Sequence, residues 1–310
     1  MGKYKITVDG KQTLLNGKPI LLRGLRCSNG LYSEEVTDEL IANLPIYADH
    51  GLNVISVFFM GNRYGNVKGY QEDASLDPVY ANRMERIINA ADDLGMVVIV
   101  GCLYWEDSDA KWGSWTQTEA NLAVANTADW IKKHKFENVI IDVDNEGMAG
   151  ARAGFDMREL IIAAKATGVT CPVASNYIGP APDEADICLH FSHFHADKPY
   201  VESEGTPENA PGAYWIRFSK ESSKLGNYGT CDYFNYINIG IYTTEMKEDQ
   251  IKRSNAHFDR GDGYMLASTW LQAAAPHGPN HHPGGNGSVD NPGIAWWLDY
   301  TKERFGPYKP

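Results

Sequence analysis

The segment Asn138–Met148, NVIIDVDNEGM, changes abruptly from an apolar run to a group of acidic and amide side chains. A continuous Val/Ile run is typical of a strand that is buried on both faces, as in a parallel sheet covered by helices. The polar group, which includes Asn145 and Glu146, then lies at the C-terminal end of that strand. In a barrel of alternating strands and helices, catalytic residues collect at this end. The segment therefore predicts a buried strand that ends in a functional site.

Strand and helix patterns alternate on both sides of this segment, through most of the 310 residues. Besides the opening segment, the predicted strands are 21–25, 53–59, 96–103, 172–176, 187–191, 199–204 and 264–270. The predicted helices are 35–50, 77–95, 116–134, 152–167, 243–260 and 291–305. Eight strands predict a (β/α)8 barrel, a fold that typically takes about 250 residues. We expect one catalytic domain over residues 1–310, with residues 1–20 forming an N-terminal β-hairpin that closes the bottom of the barrel.

Two parts of the chain depart from a regular barrel. Only about eight residues separate strands six and seven, whereas a parallel crossover usually needs about a dozen or more. Either one helix is missing there or the strand limits are wrong. Long loops also follow strands seven and eight, and the first of them, 206–242, is aromatic without clear periodicity. Long loops in compact domains tend to be functional.

Composition excludes several classes of partner. The net charge is −12 and no block of basic residues occurs, so neither nucleic acid nor an anionic membrane is expected to bind. The charge suits a neutral or cationic ligand, or serves only to keep the surface soluble.

No run of 18 apolar residues predicts a membrane helix, and the first ten residues lack a signal-peptide core. The compartment stays open between the cytoplasm and secretion with a leader removed. Five widely spaced cysteines indicate neither a disulfide framework nor a zinc site.

A second carboxylate lies in the segment Lys198–Gly205, KPYVESEG, where strand seven ends. Cleavage of a glycosidic bond needs two carboxyl groups, one to protonate the leaving oxygen and one to attack or to activate water. Glu204 and Glu146 would face each other across a barrel mouth. The alternative is that both are solvated glutamates at the start of loops. Glu202 lies one layer below Glu204 on the same strand face, so we expect it to pair with a barrel arginine such as Arg23, or to support the site.

These motifs resemble the clan A glycoside hydrolases, retaining (β/α)8 enzymes that include families 5 and 2. The resemblance is carried by Asn145-Glu146, KPYVESEG, LASTW ending at Trp270, and the opening NGKPILLRG. It implies that Glu146 is the general acid/base and Glu204 the nucleophile. It also implies that Asn145 hydrogen-bonds the sugar 2-hydroxyl and that Trp270 is the platform under the reacting sugar.

The chain departs from the family 5 pattern at two positions. An arginine often found at the end of strand two is absent, and Arg26 or Arg63 is expected to substitute for it. Gly147 stands where proline often follows the Asn-Glu pair. Both departures bear on which family the chain resembles more than on the chemistry of the site.

Aromatic and histidine side chains near other strand ends are the remaining candidates. Tyr104, Trp105 and Tyr177 could stack on sugar rings, although packing at the barrel rim is an equally good explanation. Histidines form two clusters, at positions 190, 193 and 195 and at positions 277, 281 and 282. Because no HExxH spacing occurs, we expect no catalytic metal, and we favour His193 and His195 as ligands of sugar hydroxyls. No cofactor is expected, because dinucleotide, Walker and GxSxG motifs are absent.

The sequence therefore predicts a retaining glycoside hydrolase that cleaves a β-linked oligo- or polysaccharide. Two alternatives stay open, a metal-assisted hydrolase on the same barrel and a catalytically silent carbohydrate-binding barrel. The expected partner is a carbohydrate substrate. The sugar, the linkage, exo or endo action, the oligomeric state and the role of the loop with His277, His281 and His282 are not predicted.

Overall fold

The chain folds around a closed barrel of eight parallel strands. The computed structural model describes residues 2–61, 67–105, 111–177, 179–190, 192–193, 197–205, 240–272 and 280–310, apart from the side chains at 192, 193 and 269. The strands are β1 (Ile6–Asp9), β2 (Gln12–Leu15), β3 (Lys18–Pro19), β4 (Arg23–Arg26), β5 (Val54–Phe58), β6 (Val97–Leu103), β7 (Val139–Asp144), β8 (Val173–Ser175), β9 (Gly179–Pro180), β10 (Ile187–Leu189), β11 (Ser192–His193), β12 (Tyr200–Gly205), β13 (Gly263–Leu266), β14 (Gly284–Ser288) and β15 (Asn291–Gly293). The helices are α1 (Glu34–Asp49), α2 (Pro78–Asp93), α3 (Gln117–His134), α4 (Met148–Ala153), α5 (Met157–Ala166), α6 (Thr244–Arg260), α7 (Thr269–Gln272) and α8 (Ala295–Phe305).

The barrel runs in the order β4, β5, β6, β7, β8, β10, β12 and β13, and β13 pairs with β4 to close it. Every residue of β5, β6 and β7 is buried, as a Val/Ile-rich run covered by helices requires. Ile99 of β6 lies opposite Ile140 of β7, which fixes the register of the two strands. The (β/α)8 fold is confirmed. The single-domain organisation stays a prediction.

A three-stranded antiparallel sheet, β1–β3, closes the bottom of the barrel, where a hairpin was predicted. Its two turns use Gly10 and Gly17 at φ of +54° and +78°, which glycine adopts without strain. Ile6 of this sheet packs against Val54, Val97 and neighbouring side chains at the N-terminal ends of the barrel strands. The sheet therefore seals the barrel end opposite the predicted site.

Capped helices such as α2 and α3 begin and end close to the predicted positions, whereas the predicted helix 291–305 begins only at Ala295, because residues 291–293 form strand β15. Asp77 caps α2 by accepting from Val79 N, and Thr116 with Glu119 forms a capping box at α3. Leu122 of α3 does not face the core, because its side chain is 45% exposed. The helix instead buries a stripe of smaller side chains, Ala120, Ala123, Val124, Thr127, Ala128 and Ile131. Among the described residues, no helix is both long and apolar enough to cross a membrane.

Two predicted elements end differently in the structure. The predicted helix 152–167 is divided into α4 and α5, because Gly154 adopts φ +77° and Asp156 caps a new helix. Strand eight ends at Leu266 rather than at Trp270. The chain turns at Ser268, whose carbonyl accepts from Leu271 N, and Trp270 lies on the one-turn helix α7.

The sector of the barrel around β10 lacks helices in its described connections. Between β8 and β10, and between β10 and β12, the described residues contain only the two short strands β9 and β11, which pair in parallel at Ser192 and Gly179. The sequence predicted a short connection for the second of these crossovers and not for the first. Most of the predicted long loop after strand seven, residues 206–239, lies outside the described residues, whereas the loop after strand eight is described except for residues 273–279 and contains the hairpin β14–β15.

Candidate active site

Glu146 follows the C-terminal end of β7 in an unusual backbone conformation. Its φ of +53° is left-handed, and Gly147 continues the turn at φ +63°. A left-handed residue other than glycine is uncommon and costs free energy, so the surrounding structure must hold it. This turn lifts the Glu146 carboxyl group to the barrel mouth instead of extending strand β7.

Gly147 leaves room for an aromatic side chain beside Glu146. A Cβ atom built on Gly147 would lie 2.9 Å from the Cβ atom of Tyr177, closer than real Cβ atoms approach. Gly179 makes a similar space on the other side, where a Cβ atom would lie 2.7 Å from the Tyr177 hydroxyl oxygen. Tyr177 is thus held between two glycines next to the turn that carries Glu146.

We expect Gly147→Ala to lower both stability and activity. Alanine at φ +63° adds about 1 kcal/mol or more of backbone strain, and its methyl group displaces either Tyr177 or the Glu146 turn. Gly10→Ala is the matched control, because Gly10 is also left-handed, at φ +54°, but has nothing within 4 Å of the added atom. Thermal unfolding should show a loss in both variants. The rate of glycoside hydrolysis, the predicted activity, should fall in Gly147→Ala and not in Gly10→Ala. Equal losses in the two variants, or no loss in either, would contradict a positioning role for Gly147.

Arg26, at the end of β4, connects the two strands that carry the candidate acids. Its Nη2 atom lies 2.8 Å from Oε1 of Glu204 and donates to Oδ1 of Asn145 at 2.8 Å. The side chain is 1% exposed and packs over the ring of Phe58, 5.1 Å from its centroid, and over that of Tyr104. A buried guanidinium in this position favours the charged form of Glu204, against the burial that raises the pKa of that carboxyl group, and fixes the orientation of Asn145.

The carboxyl groups of Glu146 and Glu204 meet in the barrel mouth. An oxygen of each and a ring nitrogen of His190 all lie within 4.8 Å of one another. Burial raises the pKa of Glu204; Arg26 and His190 oppose this, and the Glu146 carboxylate adds to it. Two carboxyl groups this close titrate as a pair, which holds one proton at a higher pH than an isolated carboxyl group. Among the described residues, the side chains of Glu146, Glu204 and His190 form a group that could also hold a metal ion.

Glu202 supports the site from below, but through a different partner than predicted. Its Oε1 lies 2.5 Å from Nδ1 of His190, and its Oε2 accepts from Arg253 Nη2 at 3.4 Å. Arg23, the predicted partner, donates to the carbonyl of Gly51 and packs on Phe305 instead. The pairing with Arg23 was therefore wrong. His190 directly follows β10 and belongs to this site, whereas the predicted site residues include His193 and His195 but not His190.

The His190–Glu202 pair is charged over a wide pH range. Burial alone would lower the pKa of His190, but the Glu202 and Glu204 carboxylates raise it to about 9. Burial likewise would raise the pKa of Glu202, but His190 and Arg253 lower it to about 2. His190 therefore carries a positive charge beside the Glu146–Glu204 pair at neutral pH.

The contribution of His190 to stability should depend on pH in a defined direction. A raised histidine pKa stabilises the folded state fully below the ordinary value of 6.5, and this stabilisation is lost as pH rises through about 9. The free energy of unfolding lost in His190→Gln should thus be large near pH 6 and should shrink toward pH 10. Denaturant unfolding of both proteins across this range measures it. A difference that does not change with pH would contradict the charged pair.

Polar side chains behind Asn145 are fully buried and hold the end of β7. Asn176 donates to Asp142 at 2.9 Å and to Oδ1 of Asn145 at 3.5 Å. Burial raises the pKa of Asp142 to about 6, although the hydrogen bond from Asn176 acts to lower it. Asp144 accepts from the backbone N–H groups of Ala149 and Gly150, which anchors α4. Asn176 was not predicted, although its place directly after β8 is the signal that could have identified it.

The remaining predicted residues are distributed around the mouth. Tyr104 contacts Arg26, whereas Trp105 is 6% exposed and packs between Trp115 and Phe155. Trp270 is 9% exposed on α7, close to Gly240 and Gly284. His193 belongs to β11, but its side chain is not described, and the predicted Arg63, His195 and His277 lie outside the described residues. His281 and His282 lie in a different region, where His281 N donates to Glu39.

A parallel barrel whose mouth brings together glutamates from two strands has the architecture of the (β/α)8 glycoside hydrolases. Comparison with family models agrees, because the cellulase model of glycosyl hydrolase family 5 matches residues 14–165. This match includes Asn145 and Glu146 and stops before Glu204. A comparison with curated proteins finds no match.

Solved structures extend the likeness over nearly the whole chain. A family 5 glycoside hydrolase from Bacteroides vulgatus ATCC 8482 is 12% identical, with a TM-score of 0.61, over 97% of this chain and 70% of that one. A family 5 mannosidase from Rhizomucor miehei is 14% identical, with a TM-score of 0.57, over 97% of both chains. A β-1,4-D-mannanase from Cryptopygus antarcticus is 10% identical, with a TM-score of 0.50, over 86% of this chain and 88% of that one. The chain has the family 5 glycoside hydrolase fold, and the predicted resemblance to clan A is confirmed.

Proposed function

We propose that the chain is a retaining glycoside hydrolase that cleaves a β-linked oligo- or polysaccharide by double displacement. The observation that carries this proposal is the approach of the Glu146 and Glu204 carboxyl oxygens to within 4.8 Å. In retaining enzymes the two carboxyl groups stand close together on the two sides of one bond, whereas inverting enzymes hold them farther apart to leave room for a water molecule. The short approach favours direct attack by a carboxylate.

The charges around the pair support one role for each glutamate. When a sugar enters between them, Arg26, 2.8 Å from Oε1 of Glu204, retains the negative charge on Glu204. Glu204 is therefore assigned as the nucleophile and Glu146 as the general acid.

The reaction follows in two steps. The Glu204 carboxylate attacks the anomeric carbon, the glycosidic bond breaks, and Glu146 gives its proton to the leaving oxygen. In the second step Glu146 takes a proton from water, the water oxygen attacks the anomeric carbon, and the bond to Glu204 breaks. Asn145, oriented by Arg26, is placed to hydrogen-bond the 2-hydroxyl group. Tyr104, Tyr177 and Trp270 are proposed as aromatic sugar contacts.

A panel of β-glycosides tests the proposal. Because two of the structural neighbours are a mannosidase and a mannanase, mannose substrates are tested beside glucose substrates. We expect hydrolysis of a 2,4-dinitrophenyl β-glycoside and of β-1,4-linked tetrasaccharides, with the β-anomer formed first in NMR spectra. An α-anomer would indicate inversion. Saccharide binding in calorimetry without any release of reducing ends would replace the proposal with a silent binding barrel.

Metal-assisted hydrolysis is the second candidate, and one feature favours it. A ring nitrogen of His190 lies within 4.8 Å of oxygens of Glu146 and Glu204, a group that could hold a metal ion, and Nδ1 of the same ring faces the Glu202 carboxylate. The raised pKa of His190 acts against metal binding, because a ligating imidazole must be neutral. Activity that is abolished by a chelator and restored by Zn²⁺ would favour this candidate over the first.

A further inference from the structure

The turn that carries Glu146 leads into a helix whose cap residue has no side chain. Helix α4 starts at Met148, and Gly147 before it makes no side-chain hydrogen bond to the first turn. At this position helices favour Asp, Asn, Ser or Thr, whose side-chain oxygen accepts from the second or third N–H group. In α4 these are the N–H groups of Ala149 and Gly150, so they need an acceptor from elsewhere in the chain.

Asp144, the last residue of β7, is that acceptor, and it lies on the other side of the turn. Its Oδ1 and Oδ2 atoms lie 3.1 Å and 3.0 Å from the nitrogen of Ala149, and Oδ2 also accepts from Gly150 N at 3.3 Å. These contacts join residues five and six positions apart in the chain. Glu146 therefore lies within a loop that the Asp144 side chain closes.

The burial of Asp144 couples its carboxyl group to the shape of this loop. Burial raises the pKa of Asp144 well above the ordinary range; the N–H groups of Ala149 and Gly150 oppose this, and the carboxyl groups of Asp142 and Glu146 add to it. A buried carboxyl group without hydrogen-bond donors is costly. The side chain and the loop therefore stabilise each other, because the donors are in place only while the loop keeps its conformation.

The start of the turn is held separately from its end. Oδ1 of Asn145 accepts from Arg26 Nη2 at 2.8 Å. The contact from Asn145 Nδ2 to Oε1 of Glu146 is 3.4 Å, which is long for a hydrogen bond and orients the carboxyl group weakly. The backbone of the turn, strained at φ +53°, therefore sets the position of Glu146. Arg26 fixes one end of this turn and Asp144 fixes the other.

We propose that Asp144 is a positioning residue for the proton donor: it takes the place of a cap on α4, closes the loop over residues 145–147, and so holds the Glu146 carboxyl group at the leaving oxygen. The inference rests on the proposed function, because it takes Glu146 as the general acid. Asp144 acts through Glu146 and not on the substrate. Its loss should therefore affect the steps that use Glu146 and spare those that do not.

Asp144→Asn tests this role, because asparagine keeps the shape of the side chain but offers one acceptor oxygen instead of two. Its NH2 group would face a backbone N–H group, and two donors cannot pair. Asp92→Asn is the matched control, since Asp92 is also buried and accepts from the backbone N–H groups of Lys3 and Tyr4 with its two oxygens, ahead of the sheet that closes the bottom of the barrel. Asp144→Ser, which keeps one acceptor oxygen, is assayed as a second variant. Thermal unfolding shows which variants are folded.

Two substrates separate positioning of the acid from a general loss of structure. On the β-1,4-linked tetrasaccharide, whose leaving oxygen needs a proton, Asp144→Asn should lower kcat/KM about tenfold or more. On the 2,4-dinitrophenyl β-glycoside, single-turnover release of dinitrophenolate should stay within about twofold of the wild-type rate, because this leaving group needs no proton. Asp92→Asn should stay close to wild type on both substrates.

A double-mutant cycle with Glu146→Ala decides whether Asp144 acts through Glu146. On the tetrasaccharide, Asp144→Asn added to Glu146→Ala should cause a further loss of about twofold or less, because the group that it positions is absent. A further loss as large as in the wild-type background, equal losses on the two substrates, or no loss in Asp144→Asn would overturn the inference alone. Failure of both Asp144 variants to fold would also overturn it, because Asp144 would then serve the whole fold. A wild-type protein that hydrolyses neither substrate, or a Glu146→Ala variant that loses nothing on the tetrasaccharide, would overturn the proposed function and the inference with it.

Discussion

Glu204→Gln is expected to lower kcat by about 10⁴-fold or more, because loss of a covalent nucleophile removes the reaction path itself. The fold should persist, since glutamine keeps the shape of the side chain and its amide oxygen can occupy the place of Oε1 of Glu204, 2.8 Å from Nη2 of Arg26. Steady-state kinetics on the dinitrophenyl β-glycoside measures the loss. Thermal unfolding of the same variant shows whether it remains folded.

Glu248→Gln on α6 is the matched control, because Glu248 is an exposed glutamate outside the barrel mouth. A mechanism-based 2-fluoroglycoside should add its sugar mass to the wild-type protein, and fragment-ion mass spectrometry should place it on Glu204 rather than Glu202. Label on Glu202, or full activity in Glu204→Gln, would contradict the assignment. This experiment decides between the two glutamates independently of the kinetic result.

Glu146→Ala is expected to act selectively according to the leaving group. A general acid contributes about 10²- to 10⁴-fold, so oligosaccharide hydrolysis should fall by that factor. Dinitrophenolate leaves without a proton, so the first step on that substrate should continue and the glycosyl enzyme should accumulate. Because glutamate and alanine share the strain at φ +53°, the substitution adds little backbone cost.

Azide provides the decisive measurement for Glu146. A small anion in the vacated space can attack the glycosyl enzyme without a base, so turnover of Glu146→Ala should recover and a β-glycosyl azide should form. Glu204→Ala provides the comparison, since a variant that lacks the nucleophile should not give the β-product. An equal loss on both substrates with no effect of azide would remove Glu146 from the acid/base role.

The fold was predictable because its determinants are local in the sequence. The strands β5, β6 and β7 are continuous apolar runs, and the helices between them begin at caps such as Asp77 and Thr116. Errors arose where a local pattern was ambiguous. LASTW predicts a strand through Trp270 because its apolar residues fit one, whereas Trp270 lies on the helix α7.

The candidate site was predictable only in part, for a physical reason. Glu146 and Glu204 are each marked by the strand that precedes them, so position alone suggested that they face each other. The pairing of Glu202 with His190 and Arg253, by contrast, joins side chains 12 and 51 residues apart. No periodic pattern encodes such contacts, because they depend on how the barrel strands are staggered, and Arg23 was an equally good choice from sequence.

The left-handed turn at Glu146 and Gly147 affects how such chains can be recognised. Proline fixes φ near −65°, so it is incompatible with the +63° that position 147 adopts. A motif search that requires proline after the Asn-Glu pair would miss any chain built with this turn. A search that instead allows glycine at that position, followed within a few residues by small residues such as Ala149, Gly150 and Ala151, would retrieve barrels in which a left-handed turn places the glutamate of this pair.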